Sequence, residues 1–144
     1  MMGVKIAIPD ERIYGKTMIV KDMHSRKLEM AKRVIEGGPG SGFIALSGGY
    51  GTMEELMEVI MWNQLGIYNK AVIVFNVGGY YDGLLSWIRS AVDAAFIHEK
   101  QSNILVEATT VEECGVALRN YTVSEGRLNL QWTEIREQVA ALLF

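Results

Sequence analysis

The sequence predicts an α/β domain built on a parallel sheet flanked by helices, and three features predict it. Short apolar runs alternate with longer segments of helical periodicity. The clearest run, Ala71 to Asn76, is apolar on both sides, as a central strand of a parallel sheet should be. Fifteen glycines, against two prolines, gather in loops that precede helical segments.

The elements follow in order. Met18-Ile19-Val20 is the first apolar run, and it leads to a helix from about Met23 to Ile35 with Leu28, Ala31 and Ile35 on one face. Glu36 opens a flexible break, Gly37-Gly38-Pro39-Gly40-Ser41-Gly42. Phe43-Ile44-Ala45-Leu46 reads as a buried strand, followed by the loop Ser47-Gly48-Gly49-Tyr50-Gly51-Thr52. A helix from Met53 to about Leu65 carries Met53, Leu56, Met57 and Ile60 at core spacing and stops at Gly66. After the Ala71 strand, Asp82 caps a helix in which Leu84, Ile88, Ala91 and Ala95 line up. Asn103 to Val106 is a further strand. The capping box Thr110-x-x-Glu113 opens a helix to about Tyr121, and Thr133 begins a last amphipathic helix with Ile135, Val139 and Leu142. Three or four short strands, apolar on both faces, normally sit inside a wider sheet. The single domain spanning 1–144 is therefore expected to lack N-terminal strands.

Composition narrows the function classes. The chain has 144 residues, 49% apolar and 22% charged, as in an ordinary soluble globule. A net charge of -3 supplies no basic field, so nucleic acid is not the expected ligand. The start is too short in apolar residues for a signal peptide, and no later stretch approaches a membrane span, so an intracellular, cytoplasmic protein is expected. The one cysteine, Cys114, lies in an apolar stripe and reads as a buried thiol, and no Cys/His spacing predicts a metal site.

The loop Ser47 to Thr52 is the strongest chemical signal. Glycines allow a tight turn that aims several N–H groups at one spot, and a helix N-terminus adds positive dipole there, which suits a phosphate. A ligand-free strand-to-helix turn is the competing reading. Glu55 likewise has two: it completes a capping box with Thr52, or it is a carboxylate beside the sugar of a bound nucleotide. His24-Ser25-Arg26-Lys27 places cations in a helix's first turn, where the dipole disfavours them by about 0.3–1 kcal/mol each. A solvated charge run explains that group. So does a bound phosphate, which the arginine fork of Arg26, pointing away from the Leu28 face, is free to reach. In the third glycine turn, Asn76 to Asp82, Asn76 and Tyr80 either line the ligand crevice or serve the turn. Met57, Met61 and Trp62 read as packing, His98 has no partner in view.

Together, Asp22-Met23-His24-Ser25-Arg26-Lys27 and Ser47-Gly48-Gly49-Tyr50-Gly51-Thr52-Met53-Glu54-Glu55 resemble the paired signature of the LONELY GUY (LOG) family, the cytokinin riboside 5'-monophosphate phosphoribohydrolases often labelled lysine decarboxylases. Trp62-Asn63-Gln64-Leu65-Gly66-Ile67, Asn76-Val77-Gly78-Gly79-Tyr80-Tyr81, Leu118-Arg119-Asn120-Tyr121 and Gly126-Arg127-Leu128-Asn129-Leu130 continue the likeness, the last two being similar to fungal-type members. The resemblance implies a Rossmann-like homodimer without metal or organic cofactor, cleaving cytokinin nucleotides and often AMP to free base and ribose 5-phosphate. It carries the catalytic pair to Arg26 and Glu55, and phosphate and ribose contacts to Lys27, Gly48, Gly49, Gly51 and Thr52, with Glu54 assisting. Ser47 stands where the family has proline, Gly37 to Gly42 reads as an insertion, and the family's N-terminal strands and GGG-rich loop have no counterpart. Two other readings remain: a nucleotide- or phosphate-binding module without hydrolysis, and an inactive fragment that self-associates. No lysine has the context of a pyridoxal phosphate site.

Overall fold

A computed structural model describes residues 9–128. The helix expected from Thr133 lies outside the described residues. Those described form α1 (Glu11–Tyr14), α2 (Met23–Glu36), β1 (Gly42–Ala45), α3 (Tyr50–Leu65), β2 (Ala71–Phe75), α4 (Asp82–Asp93), β3 (Leu105–Ala108) and α5 (Val111–Asn120). The strands make one parallel sheet in the order β1-β2-β3, with Gly42 opposite Ala71 and Val72 opposite Leu105. The predicted α/β class is the observed one.

Strand alternation sorts the core into two halves. Val72 and Val74 join Leu56, Val59, Tyr68, Tyr81 and Leu105 on one face, closed by α3 and α4 through Ile60, Leu84 and Ile88. Ala71 and Ile73 face the other way, onto Ala108, Cys114 and the α5 residues Ala117 and Leu118. The thiol of Cys114 is buried, and burial raises its pKa. With both faces covered, β2 is the buried central strand that its unbroken apolar run predicts. Parallel pairing also puts the carboxyl ends of the strands at one end of the sheet, where loops 46–49 and 76–81 meet.

Several boundaries differ from the sequence reading. Met18 to Val20 forms no strand, and Ile19 is exposed. Gly42 is no part of a flexible break: it opens β1, where a Cβ would come within 2.7 Å of the Ala71 carbonyl oxygen and of Leu118. Only the 37–41 stretch is a turn, tied by the Ser41 hydroxyl donating to the carbonyls of Val34 and Gly38. On α2, Ala31 is buried but Ile35 is exposed. The third strand is Leu105–Ala108 and not Asn103 to Val106, because residues 99–104 are used by a 3-10 turn and its exit. Ala95 falls beyond α4 with φ 59°. His98 does have a partner: its Nδ1 accepts from the Lys100 amide at 3.2 Å.

The Thr110 capping box is present as expected, with Thr110 Oγ1 accepting from the Glu113 amide at 3.1 Å. The Thr109 amide and hydroxyl and the Thr110 amide all donate to the Glu113 carboxylate, which holds its pKa below the ordinary value. A depressed folded pKa stabilises the protein above the unfolded value, roughly pH 4, and that contribution is lost as pH falls through the folded value. In acid titrations followed by circular dichroism, Glu113→Gln is therefore expected to shrink the gap in melting temperature between pH 7 and pH 3. An unchanged gap would show that the carboxylate's charge is immaterial there.

Candidate active site

Two helix starts approach one another beside the end of β1. Asp22 caps α2, its carboxylate accepting from the Ser25 amide at 2.7 Å, and that bond lowers its pKa. The cap fixes the helical phase that turns Arg26 and Lys27 toward α3. Arg26 donates from Nη1 to Glu55 Oε1. Lys27 sits between two carboxylates one turn apart on α3, with Nζ 2.7 Å from Glu54 Oε1 and 3.1 Å from Glu58 Oε2. Those partners offset the unfavourable dipole position of the two cations. The structure thus brings Arg26, Lys27, Glu54 and Glu55 into one cluster; Glu58 was not anticipated, although its i,i+4 spacing from Glu54 was there to read.

Arg26 is consequently not wholly free. One guanidinium nitrogen engages Glu55, but its side chain is 47% exposed, so the rest of the fork stays open to a ligand. The capping-box reading of Glu55 is overturned. The helix starts at Tyr50, three residues before the expected Met53, with Gly49 as N-cap. Thr52 therefore lies inside the first turn and Glu55 inside the second, and the carboxylate meets Arg26 and not a backbone amide.

The earlier start improves the loop as an anion site. Gly49 offers no capping side chain. Among the described residues, the amides of Tyr50, Gly51 and Thr52 have no hydrogen-bond partner, while Met53 already bonds to the Gly49 carbonyl at 3.1 Å. Three open N–H groups at the positive end of a 16-residue helix form a ready seat for a phosphate. Space above them is clear, since a Cβ on Gly49 or Gly51 would meet nothing within 4 Å.

Gly48 has a different reason to be glycine. A Cβ there would lie 2.2 Å from Thr52 Oγ1 and 2.9 Å from Thr52 Cβ. Rotating Thr52 relieves the first clash but not the second. Gly48→Ala is expected to displace the loop and weaken ribose 5-phosphate binding about tenfold or more by calorimetry, with a smaller change in melting temperature. Unaltered affinity would detach the loop from the ligand. Ser47, Thr52 and Glu55 also line one cavity of about 220 Å³, walled by Met30, Phe43 and Leu56, so loop and carboxylate share a space.

The turn after β2 serves structure. Asn76 is buried; its Nδ2 donates to Asp82 Oδ1 at 2.8 Å and Glu107 Oε1 at 2.6 Å, and its Oδ1 accepts from the Tyr81 amide at 2.7 Å. Asp82 is thus spent on Asn76, and Tyr81, not Asp82, occupies the cap position of α4. The Tyr80 hydroxyl donates to the Gly48 carbonyl and that of Tyr81 to the Leu46 carbonyl at 2.5 Å. Neither bond could be foreseen, because each spans more than thirty residues.

The stretch Gly126 to Leu128 is likewise structural. Arg127 donates to the carbonyls of Asn63 at 3.0 Å and Tyr68 at 2.9 Å. A Schiff-base lysine needs a lowered pKa; the hydrogen bonds that Lys27 donates to Glu54 and then Glu58 raise its pKa. Lys70 directs its ammonium to the Gly38 carbonyl at 2.8 Å.

The chain is similar to known proteins. Residues 1–118 match the family model described as "Possible lysine decarboxylase". A bifunctional cytokinin biosynthesis protein of Fusarium pseudograminearum is 52% identical over 99 residues, 69% of this chain and 20% of that protein. Two cytokinin riboside 5'-monophosphate phosphoribohydrolases of Arabidopsis thaliana are similar as well. One is 45% identical over 127 residues, 88% of this chain and 53% of its own length; the other is 49% identical over 107 residues, 74% and 47%. The chain spans about half the length of these plant relatives and a fifth of the fungal one.

Proposed function

Because the chain belongs to the LONELY GUY family, we propose that it hydrolyses the N-glycosidic bond of cytokinin riboside 5'-monophosphates, and of AMP, to free base and ribose 5-phosphate. The observation that carries this reading is the direct pairing of Arg26 with Glu55 beside a row of helix N-terminal amides that have no protein partner among the described residues. Phosphate sits on the amides of Tyr50, Gly51 and Thr52, with Gly48 and Gly49 shaping the approach. The open donors of Arg26 close over it, and Lys27 adds positive charge.

This seating sets the ribose by Glu55. As the C1'–N bond breaks, its electron pair goes to the base and positive charge grows on the sugar. The Glu55 carboxylate stabilises that charge and orients the attacking water. Water's oxygen bonds to C1' and keeps one proton as the new hydroxyl, while its other proton passes to the departing base. Glu54, held by Lys27, keeps that lysine aligned. No step in this scheme calls for a metal or organic cofactor.

We place the enzyme in the cytoplasm as a homodimer, with a nucleoside monophosphate and not nucleic acid as its ligand. No helix among the described residues is long and apolar enough to cross a membrane. For the dimer, the support is an apolar groove of about 320 Å³ lined by Met57, Met61, Trp87 and Phe96, the last three exposed. Sedimentation showing only monomer at micromolar concentration would remove that part.

The direct test incubates the chain with AMP or isopentenyladenosine monophosphate and follows free base by chromatography. Release is expected; its absence, with no binding of either nucleotide, would overturn the reading. Binding without release would instead favour the nucleotide-holding module.

A further inference from the structure

The loop that seats the anion is not held by its own residues. Its backbone is anchored from the next turn along the sheet, through two phenol hydroxyls on the carbonyls of Leu46 and Gly48. We propose that Tyr80 and Tyr81 are positioning residues for phosphate recognition: by fixing these two carbonyls they aim the loop's amides at the ligand. This rests on the proposed function, since it concerns the same anion seat.

The reason is peptide geometry. In a planar trans peptide the C=O and the following N–H point in opposite directions. A hydroxyl that holds the Leu46 carbonyl therefore turns the Ser47 amide to the other side of its plane, and one that holds the Gly48 carbonyl does so for the Gly49 amide. Among the described residues, neither amide has a hydrogen-bond partner. The same two bonds keep carbonyl oxygens, which repel phosphate, turned from the seat. A loop with Gly48-Gly49 would otherwise reach many peptide orientations at little cost.

The anchors are themselves fixed. Tyr81 is buried, its amide is held by Asn76, and burial raises the pKa of its phenol, so it stays a donor. Tyr80 packs edge-on against it, ring centroids 5.1 Å apart and interplanar angle 85°. Asn76 ties the turn to β3 through Glu107 and to α4 through Asp82. The load thus passes from the middle of the sheet to the glycine loop.

The test uses the chain with Tyr80→Phe, Tyr81→Phe and both, each of which removes only a hydroxyl. Tyr80 is exposed, so its variant is informative even if Tyr81→Phe folds poorly. Affinity for ribose 5-phosphate, measured by calorimetry, is expected to fall roughly five- to tenfold for each and further for both. Affinity for ribose without phosphate should stay unchanged. In turnover of AMP, KM should rise while kcat holds, because the loop grips phosphate equally in ground and transition states. Mere destabilisation would lower the active fraction, and so the apparent kcat, with KM unmoved; that pattern, or unchanged phosphate affinity in both single variants, overturns the inference while leaving the proposed function intact. If the unsubstituted chain binds no ribose 5-phosphate, the proposed function fails and this inference falls with it.

Discussion

Glu55→Gln is expected to lower release of base from AMP by roughly 10²- to 10⁴-fold. Glutamine has the size of glutamate and can still accept from Arg26 through its amide oxygen, so the contact between α2 and α3 persists. What disappears is the negative charge beside the sugar, needed only once the ribose becomes cationic. Affinity for ribose 5-phosphate should therefore hold or rise, since a carboxylate near a phosphate is repulsive in the ground state. Single-turnover rates combined with calorimetry separate the two effects. If the rate stays within about twofold while the phosphate still binds, Glu55 only anchors Arg26 and the chemistry lies elsewhere.

Asn63→Ala should cost about 2–4 kcal/mol of stability without touching the site. Asn63 is fully buried on α3, and its Nδ2 donates to the Lys70 carbonyl at 3.1 Å and to the Tyr121 hydroxyl at 2.8 Å. One side chain thus joins α3 to the entry of β2 and to the end of α5. Truncation takes this partner from a half-buried backbone carbonyl and a half-buried phenol, at up to about 1–3 kcal/mol for each such group. It also opens a small void. Against a usual domain stability of about 5–15 kcal/mol, a fall of roughly 10 °C in melting temperature follows. A loss below about 0.5 kcal/mol in urea titration would mean that water replaces the amide, and that the three-element junction is looser than drawn.

Both residues illustrate how much was legible in advance. Glu55 stood out because a carboxylate follows a glycine loop at a strand-to-helix junction, a local pattern. Asn63 was noted only within a run of matching residues, and no local signal marks a buried asparagine whose partners lie seven and fifty-eight positions away. The helix start shows the opposite failure. Thr52-x-x-Glu55 satisfies the capping pattern, yet the helix begins at Tyr50, since Gly49 takes the extended cap conformation and Glu55 gains a charged partner on α2. A long-range ion pair outcompeted a local hydrogen bond.

Met18 to Val20 failed as a strand for a related reason. A three-residue apolar run has no strand character of its own; a ladder partner must supply it, and none lies beside it among the described residues. Asn103 to Val106 was displaced by two residues because the 3-10 turn at Glu99–Gln101 was invisible to periodicity.

By itself, the sequence determined the α/β class, the central position of Ala71–Phe75, the Thr110 cap and the glycine loop that leads into α3, because each depends on the order of apolar, glycine and capping residues within a few positions. Tertiary structure alone decided that Arg26 meets Glu55, that Lys27 is shared by Glu54 and Glu58, and that Tyr80 and Tyr81 hold the loop. Those contacts join segments about thirty residues apart, and their geometry is set by how helices seat on the sheet, which no local pattern encodes.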